Sequence, residues 1–367
     1  MEFVLERVLP DDRLARKCIF RLDVLDTSAR LAYDVGAGES VQFVDGDGEL
    51  VAVVIRNACK DRRIVEFVDH SIAGAIRTRR NARKEDRGHI SQMGLSAGSR
   101  SNSKLGWVRN IERQKQNTSL HEQVDYDTSS SFAVLWSLAR SLLPATIIED
   151  FDKFIESLGP DIRMDGNGKM GVDASGKGTY HIKIKETDYE FHNSELAPPC
   201  GVVAENYCRY VHFENQPHKW ALSLTTSRSF DDSVSAVDAG GHFFISAYSI
   251  RIQAAPNTLI AWRPRDWHGT SLFHISPNPD SPEQKFYQRG LCIVTGGRVV
   301  GCIKKWRAGK LSDQQLSEVG LDLEDKHPVG MEKEGNELDD LTKRLQAIPL
   351  RRSPRLVGKP KKSFVGC

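Results

Sequence analysis

The feature that most limits the possible folds is a series of short β-type segments between about residues 180 and 303, separated by turns rich in glycine and proline. Many short strands with such turns are typical of a β-sandwich or a β-barrel, in which two layers of sheet enclose one core. We therefore predict an α+β chain whose core is a double-stranded β-helix (jelly roll) flanked by helices.

Two helices are predicted directly before these strands. Residues 130–143 place leucines on one face, and residues 147–158 carry apolar side chains at spacings of three and four residues. Both patterns are typical of amphipathic helices that pack on a core. The dipeptide Gly159-Pro160 is expected to end the second helix, and the glycine-rich residues 161–178 are expected to form a loop.

Outside this centre the sequence divides into regions of different composition. Residues 41–44 and 50–55 flank a Gly/Asp turn, which predicts a β-hairpin within a largely β-type N-terminal region. The predicted organisation is a β-rich extension packed on the core (1–75), the core itself (76–310) beginning with a basic loop or mobile segment (76–118), an acidic helical segment (311–348) and a disordered basic tail (349–367).

The formal net charge of +2 conceals strong local segregation of charge. Residues 77–115 contain eleven Lys/Arg against three Asp/Glu, and residues 351–362 contain six Lys/Arg and no acid. Such zones favour a polyanionic partner, although solvated surface charge is an equally simple explanation of either zone alone. The densest group of cations is Arg77, Arg79, Arg80, Arg83, Lys84 and Arg87.

The seven cysteines are odd in number and include no CxxC pair. This usage favours buried thiols in a reducing compartment over a disulfide framework or a zinc ribbon. No apolar run approaches 18 residues. We therefore expect neither a secretory nor a membrane-spanning segment.

Candidate metal ligands occur at two places within the strand-rich region. If residues 207–214 form a strand, His212 and Glu214 share one face and can chelate one metal. His268 follows a buried strand and a turn, 54 residues after Glu214, and suits a third ligand. Two histidines and one carboxylate with open positions are the ligand set of non-haem Fe(II) oxygenases. An ordinary surface pair remains the alternative for His212 and Glu214.

A lone arginine, Arg289, begins the apolar strand predicted at residues 288–294. An unpaired charge at such a position is costly, so the guanidinium requires a carboxylate partner. Either the distal carboxylate of 2-oxoglutarate or an internal aspartate meets that requirement. Asn206 lies on the same predicted strand face as His212 and is a weaker candidate for the cosubstrate or base pocket.

The sequence around these residues resembles the fungal, transposon-associated branch of the TET/JBP family of Fe(II)- and 2-oxoglutarate-dependent dioxygenases, over roughly residues 80–300. The motifs that carry the resemblance are Asn206-Tyr207-Cys208-Arg209, His212–His218, Thr225–Arg228, Gly240–Phe244 and residues 255–272. The resemblance implies that His212, Glu214 and His268 are catalytic iron ligands and that Arg289 anchors 2-oxoglutarate. Glu214 stands where the family usually has aspartate, so its additional methylene would shift the metal or change how the carboxylate binds it.

The resemblance also implies a function. The expected reaction is oxidation of the methyl group of a methylated base in double-stranded DNA, from 5-methylcytosine to 5-hydroxymethylcytosine and further oxidised forms, with N6-methyladenine left open. The base would be flipped out of the duplex, and the cations of residues 77–87 would hold phosphates. A monomer in the nucleus is expected. Two alternatives stay open: a non-catalytic DNA-binding relative, and a dioxygenase of the same fold acting on a protein or a small molecule.

Overall fold

The computed structural model describes residues 2–8, 19–25, 31–84, 86–98, 103–112, 118–232, 234–273, 286–311 and 319–320. The helices in this part of the chain are α1 (Arg62–Thr78), α2 (Thr118–Leu142), α3 (Ala145–Leu158) and α4 (Gly297–Arg307). The strands are β1 (Glu2–Val8), β2 (Ile19–Leu25), β3 (Tyr33–Val35), β4 (Val41–Val44), β5 (Leu50–Arg56), β6 (Arg87–Gly98), β7 (Ser103–Arg109), β8 (Lys177–Ile184), β9 (Thr187–Glu195), β10 (Cys200–Cys208), β11 (Ala221–Ser229), β12 (Phe243–Ile245), β13 (Ile250–Ile252), β14 (Thr258–Trp262), β15 (Gly269–Thr270), β16 (Tyr287–Ile293) and β17 (Val319–Gly320).

Two sheets form the centre of the molecule. The larger has the order β17-β7-β6-β10-β16-β11-β14-β5-β4, and the smaller has the order β15-β12-β13-β3. The four central strands β10-β16-β11-β14 are antiparallel neighbours that are not consecutive in the chain. An isolated bridge between His212 and His268 extends the smaller sheet beyond β15. This order of crossing strands in two facing sheets is that of a double-stranded β-helix, so the predicted α+β jelly-roll core is confirmed.

The helices cover the outer face of the larger sheet. Because side chains alternate along a strand, β16 directs Leu291 and Ile293 to this face and Cys292 to the opposite one. Leu291 and Ile293 belong to one large buried cluster with Phe132 of α2 and Phe151 of α3. A second cluster lies between the two sheets. The space between the sheets is therefore separate from the layer beneath the helices.

Several predicted elements agree with the structure. The hairpin of β4 and β5 is present, and the two helices before the strands are α2 and α3, with α2 beginning at Thr118. Residues 161–178 form mainly turns and one short 3-10 segment. The acidic segment 311–348 lies outside the described residues apart from Leu311 and β17, and the basic tail 349–367 lies wholly outside them. None of the described helices is both long and apolar enough to cross a membrane.

Three predicted assignments are wrong. Residues 62–75 belong to helix α1, which the Asp61 side chain caps by accepting a hydrogen bond from the Arg63 backbone N–H. The supposed loop at 76–118 contains the hairpin of β6 and β7, and β6 pairs with the distant strand β10. At Gly94 a Cβ atom would lie 2.1 Å from the Pro199 backbone oxygen, so glycine there permits this close pairing. Helix α4 also interrupts the end of the strand-rich region.

Candidate metal centre

His212, Glu214 and His268 converge between the two sheets. Their candidate ligand atoms all lie within 4.8 Å of one another. The strand expected at 207–214 ends at Cys208, and His212 and Glu214 lie in the segment after it. His212 and His268 exchange two backbone hydrogen bonds of 2.8 Å, which bring the two imidazoles together. The predicted grouping is thus present, although a bridge rather than one continuous strand creates it.

The backbone fixes the orientation of both imidazoles. His212 Nδ1 lies 2.8 Å from the Tyr210 carbonyl oxygen, and His268 Nδ1 lies 2.8 Å from the Asp266 carbonyl oxygen. A carbonyl can only accept a hydrogen bond, so each Nδ1 carries the proton and each Nε2 keeps its lone pair. This arrangement is typical of histidines that bind a metal through Nε2.

The charge states of the three residues suit metal binding at neutral pH. Burial lowers the pKa of His268 to about 4 and also lowers the pKa of His212, with Arg209 adding to the effect on His212. Burial alone would raise the pKa of Glu214, but the neighbouring His212 and the charge of Arg209 hold that pKa well below its usual value. The cluster therefore offers two neutral imidazoles and one carboxylate.

Two further side chains hold the Glu214 carboxylate. Arg209 donates to Oε1 at 2.8 Å, and Gln216 donates to Oε2 at 3.1 Å. Oε1 also lies 3.5 Å from His212 Nε2. Sequence reasoning did not assign a role to Arg209 or Gln216. Their proximity to Glu214 in the chain was visible, but nothing in the strand pattern indicated that both side chains reach its carboxylate.

A cavity of about 140 Å³ lies between β10, β11 and β16, and its lining residue Cys292 is near Glu214 of the cluster. The lining residues include Asn206, Ser223, Thr225, Gly241, Gln288 and Cys292. Burial raises the pKa of the Cys292 thiol well above its usual value, and the nearby Glu214 carboxylate raises that pKa further. Asn206 accepts a hydrogen bond from the Gln288 backbone N–H at 2.8 Å, so it lines the cavity and also ties β10 to β16. Pockets that hold drug-sized ligands have volumes of about 300–1,000 Å³, so this cavity suits a smaller molecule.

Arg289 is also among the residues that line this cavity, but carboxylates of the protein hold its guanidinium. Its guanidinium contacts Asp69 of α1 at 3.0 Å and Glu205 of β10 at 2.6 Å. Alternation along β16 places Arg289 on the same face as Leu291 and Ile293, beneath the helices. The internal-carboxylate alternative is therefore the arrangement observed, which counts against Arg289 as the 2-oxoglutarate anchor.

A different arginine lies at the edge of the cavity. Arg228 of β11 donates to the Gln288 side chain and, at 2.8 Å, to the Gly240 carbonyl oxygen. Its guanidinium also lies over the Phe286 ring, 5.1 Å from the ring centroid. The sequence placed Arg228 within a recognisable motif, but the β-bulge between Thr225 and Ser227 that redirects it was not apparent.

The six cations expected to contact DNA occupy three different places. Arg79 is only 1% exposed and is paired with Asp125 and Asn110, so its prediction as a phosphate contact is wrong. Arg77 lies in the last turn of α1 and lines a separate groove. The remaining four belong to the segment between α1 and the start of β6: Arg80, Arg83, Lys84 and Arg87.

This last segment lies close to the metal cluster. Asp86 accepts a hydrogen bond from the Tyr207 hydroxyl, and its carboxylate is 4.0 Å from Arg209 Nε. Arg209 in turn binds Glu214. Lys84 and Arg87 on either side of Asp86 are exposed. The two exposed cations therefore flank Asp86, and Asp86 is connected through Arg209 to the candidate ligand Glu214.

No protein-family model matches the sequence, and no curated protein matches it. Solved structures with similarity to the chain include NgTET1 in complex with 5mC DNA, at 10% identity over 71% of this chain and 77% of that chain, with a TM-score of 0.41. IDO from Bacillus thuringiensis is 10% identical over 66% and 91% of the two chains, with a TM-score of 0.29. The viral collagen prolyl hydroxylase vCPH from Paramecium Bursaria Chlorella virus-1, as a 2OG complex, is 10% identical over 68% and 98%, with a TM-score of 0.25. All three similarities are low, and the fold assignment rests on the strand order.

Proposed function

We propose that this chain is an Fe(II)- and 2-oxoglutarate-dependent dioxygenase that oxidises the methyl group of a methylated base in DNA. The observation that carries the proposal is the convergence of His212, Glu214 and His268 inside a double-stranded β-helix, beside a small cavity. 5-Methylcytosine, oxidised once or repeatedly, is the first candidate substrate, and N6-methyladenine is the second. Nuclear localisation follows from a DNA substrate and is part of the proposal.

The donor set fits iron. Two imidazole nitrogens and one carboxylate oxygen are the donor set of non-haem Fe(II) oxygenases, so His212, Glu214 and His268 would hold the metal. When bound there, Fe(II) together with 2-oxoglutarate and dioxygen supplies an oxidant that hydroxylates a methyl C–H bond. The chain contributes the orientation of the donors: backbone carbonyls hold both imidazoles, and Arg209 and Gln216 hold the carboxylate.

Glu214 is compatible with this role despite its additional methylene relative to aspartate. A glutamate side chain has more rotamers than an aspartate side chain, but the hydrogen bonds from Arg209 and Gln216 hold Glu214 in one of them. Because Arg209 and His212 both approach Oε1, that oxygen faces the cluster. Oε1 of Glu214 would then be the oxygen that holds the metal, while Gln216 keeps its hydrogen bond to Oε2.

The cavity beside the cluster is the proposed 2-oxoglutarate site, and Arg228 is the proposed anchor in place of Arg289. Arg228 lies at the cavity edge with Gln288 and Gly241, whereas the Arg289 guanidinium binds two carboxylates on the opposite face of the sheet. A guanidinium can bind a carboxylate through two parallel hydrogen bonds. Gln288, which already contacts Arg228, would then exchange that bond for one to the cosubstrate.

The segment with Arg80, Arg83, Lys84 and Arg87 is the proposed DNA contact near the cluster. A methyl group in a stacked base cannot reach a metal between two sheets, so the nucleotide must leave the duplex at a cost of a few kcal/mol. Cations next to the entrance would hold the flanking phosphates during this step. Asp86 orients the segment through Tyr207 without cancelling the exposed charges of Lys84 and Arg87.

The test combines two readouts on the full chain. Purified protein is incubated with Fe(II), 2-oxoglutarate and duplexes that contain 5-methylcytosine, N6-methyladenine or neither, and both succinate release and nucleoside mass spectra are recorded. The proposal expects an oxidised base with stoichiometric succinate, and loss of both with His268→Ala. Succinate without base oxidation would assign a different substrate, and DNA binding without succinate would identify a non-catalytic relative.

A further inference from the structure

A groove larger than the cavity at the metal cluster lies between α1, α2 and the end of β8. Its volume is about 570 Å³, about four times that of the cavity at the cluster. Phe67 of α1 and Val124 of α2 line it, and both belong to the core beneath the helices. The candidate metal ligands lie on the other face of the larger sheet. The groove is therefore a separate feature with no part in the proposed oxidation.

The groove combines an apolar floor with a cationic rim. Phe67, Val124 and Ile184 supply apolar surface. The rim carries Arg63 and Arg77 on α1 and Lys183 and Lys185 on β8 and its turn.

The two carboxylates in the groove are already engaged. Asp127 contacts His181 at 2.8 Å and Gln123 at 2.7 Å, and Glu66 contacts Arg62 at 3.2 Å. Arg63 is likewise engaged, with Asp61 at 2.6 Å.

The two β8 lysines add positive charge that no described carboxylate pairs with. Both Lys183 and Lys185 are exposed, and neither forms an ion pair with any residue in the described ranges. They face α1 across the groove, so a ligand on the floor is flanked by cations from two elements. Positive charge beside apolar surface suits a ligand with a flat apolar part and an anionic part.

We propose that this groove binds a short single-stranded segment of nucleic acid. Arg63 and Arg77 are fourteen positions apart on α1, which at a rise of 1.5 Å per residue is roughly 21 Å. A ligand with a single carboxylate or phosphate would contact the cations at only one end of this length, whereas a phosphodiester chain presents an anion at every nucleotide. The bases would lie on the apolar floor, as in other single-strand sites that combine stacking with a charged groove. Exposed Tyr189 lies near Arg63 and adds an aromatic surface at that end.

The test measures fluorescence anisotropy of a labelled eight-nucleotide oligothymidylate with the full chain at several salt concentrations. The double variant Lys183→Gln/Lys185→Gln is expected to bind about tenfold more weakly. Its salt dependence should fall by about 1.4 units, because each single-strand phosphate contact contributes about 0.7. The matched control is Lys177→Gln/Lys153→Gln, which removes two exposed lysines outside the groove and should bind like the parent.

A steric variant tests the groove itself. A Cβ atom at Gly74 would contact only Val124 Cγ2 within 4 Å, at 3.7 Å, so Gly74→Leu adds bulk inside the groove without changing charge. This variant should also lose oligonucleotide binding. Its unfolding temperature should be no lower than that of the parent. His268→Ala should bind the oligonucleotide normally, so the outcome here is independent of the proposed catalysis. Unchanged binding in the lysine double variant or in Gly74→Leu would overturn the proposal, as would equal competition by free thymidine monophosphate.

Discussion

At the scale of single residues, the two arginines on β11 and β16 have different expected roles. Arg289→Ala removes the partner of Asp69 and Glu205, and charge-assisted hydrogen bonds of this kind contribute about 1.5–3 kcal/mol each. We expect a lower free energy of unfolding, measured by chemical denaturation, with a KM for 2-oxoglutarate within about twofold of the parent. Arg228→Ala should raise that KM about tenfold or more, since a bidentate carboxylate contact is lost. A larger KM effect from Arg289→Ala than from Arg228→Ala would restore Arg289 as the anchor.

Arg79 provides a second prediction at this scale, because its charge is buried. Removing one partner from a buried ion pair costs about 3–5 kcal/mol, since the other charge stays in a poorly solvated position. Arg79→Ala should therefore lower the free energy of unfolding by about that amount, because the Asp125 carboxylate would stay buried without its partner. Lys84→Ala, at an exposed position in the same basic region, should change it by less than about 0.5 kcal/mol. Equal stability of the two variants would contradict the buried pairing.

The candidate metal ligands were more predictable than the arginines for a physical reason. A His and a carboxylate two positions apart stay close in many backbone conformations, so His212 and Glu214 converge even though the strand ends at Cys208. The direction of Arg289 depends on which face of β16 the helices cover. Apart from Arg289 itself, both faces of that strand carry apolar or neutral residues, so the sequence alone did not identify the face that the helices cover.

At the scale of secondary-structure elements, His181 joins the β8–β9 hairpin to α2. Its Nε2 lies 2.8 Å from Asp127 Oδ1, and its Nδ1 lies 3.1 Å from Asp188 Oδ1. Burial alone would lower its pKa, but the hydrogen bonds and charges of Asp127 and Asp188 raise it above its usual value of 6.5. The folded state therefore binds the proton more tightly, and the stabilisation is complete below about pH 6.5 and lost as the pH rises through the folded-state pKa.

His181→Gln should consequently cost more stability at pH 6 than at pH 9. We expect a loss of about 1.5–3 kcal/mol at pH 6, the usual contribution of a charge-assisted hydrogen bond. The exposed His192 of the same hairpin is the control, and His192→Gln should change the stability only slightly. Urea unfolding at a series of pH values measures both. A His181→Gln effect that grows with rising pH would contradict the raised pKa.

Elements whose stability is local were predicted well, and those that depend on distant partners were not. The helix pattern of α3 is contained in its own sequence, as is the turn between β4 and β5. Strand β6, in contrast, is rich in glycine and serine and is stabilised by pairing with β10, which is more than 100 positions later. Polar, glycine-rich composition favoured a loop there because tertiary pairing is not visible in a local window.

At the scale of the whole molecule, the order of strands determines what the site contains. β16 lies between β10 and β11 although it comes much later in the chain, and the inner faces of the three strands together line the cavity. The class of fold followed from the number and spacing of strands, but the order did not, because the sequence does not show which strands pair. The same order places the metal cluster and the cationic groove on opposite faces of one sheet.

This separation leads to a prediction about two kinds of DNA. Lys84 and Arg87 lie beside the metal cluster, whereas Lys183 and Lys185 lie at the groove beneath the helices. If duplex DNA binds at the cluster, Lys84→Ala/Arg87→Ala should flatten the salt dependence of methylated-duplex binding by about 1.8 units, since each duplex phosphate contact contributes about 0.9. The effect should be independent of duplex sequence, because phosphate contacts carry no base information.

Each double variant should therefore weaken the binding of only one of the two probes. Lys183→Gln/Lys185→Gln should leave the duplex slope unchanged and weaken only the single-stranded oligonucleotide, while Lys84→Ala/Arg87→Ala should do the reverse. Filter binding of both probes over the same salt series measures the four slopes. If Lys84→Ala/Arg87→Ala leaves the duplex slope intact, the phosphates are held elsewhere on the chain, and the proposed approach of DNA to the metal cluster beside Asp86 is wrong.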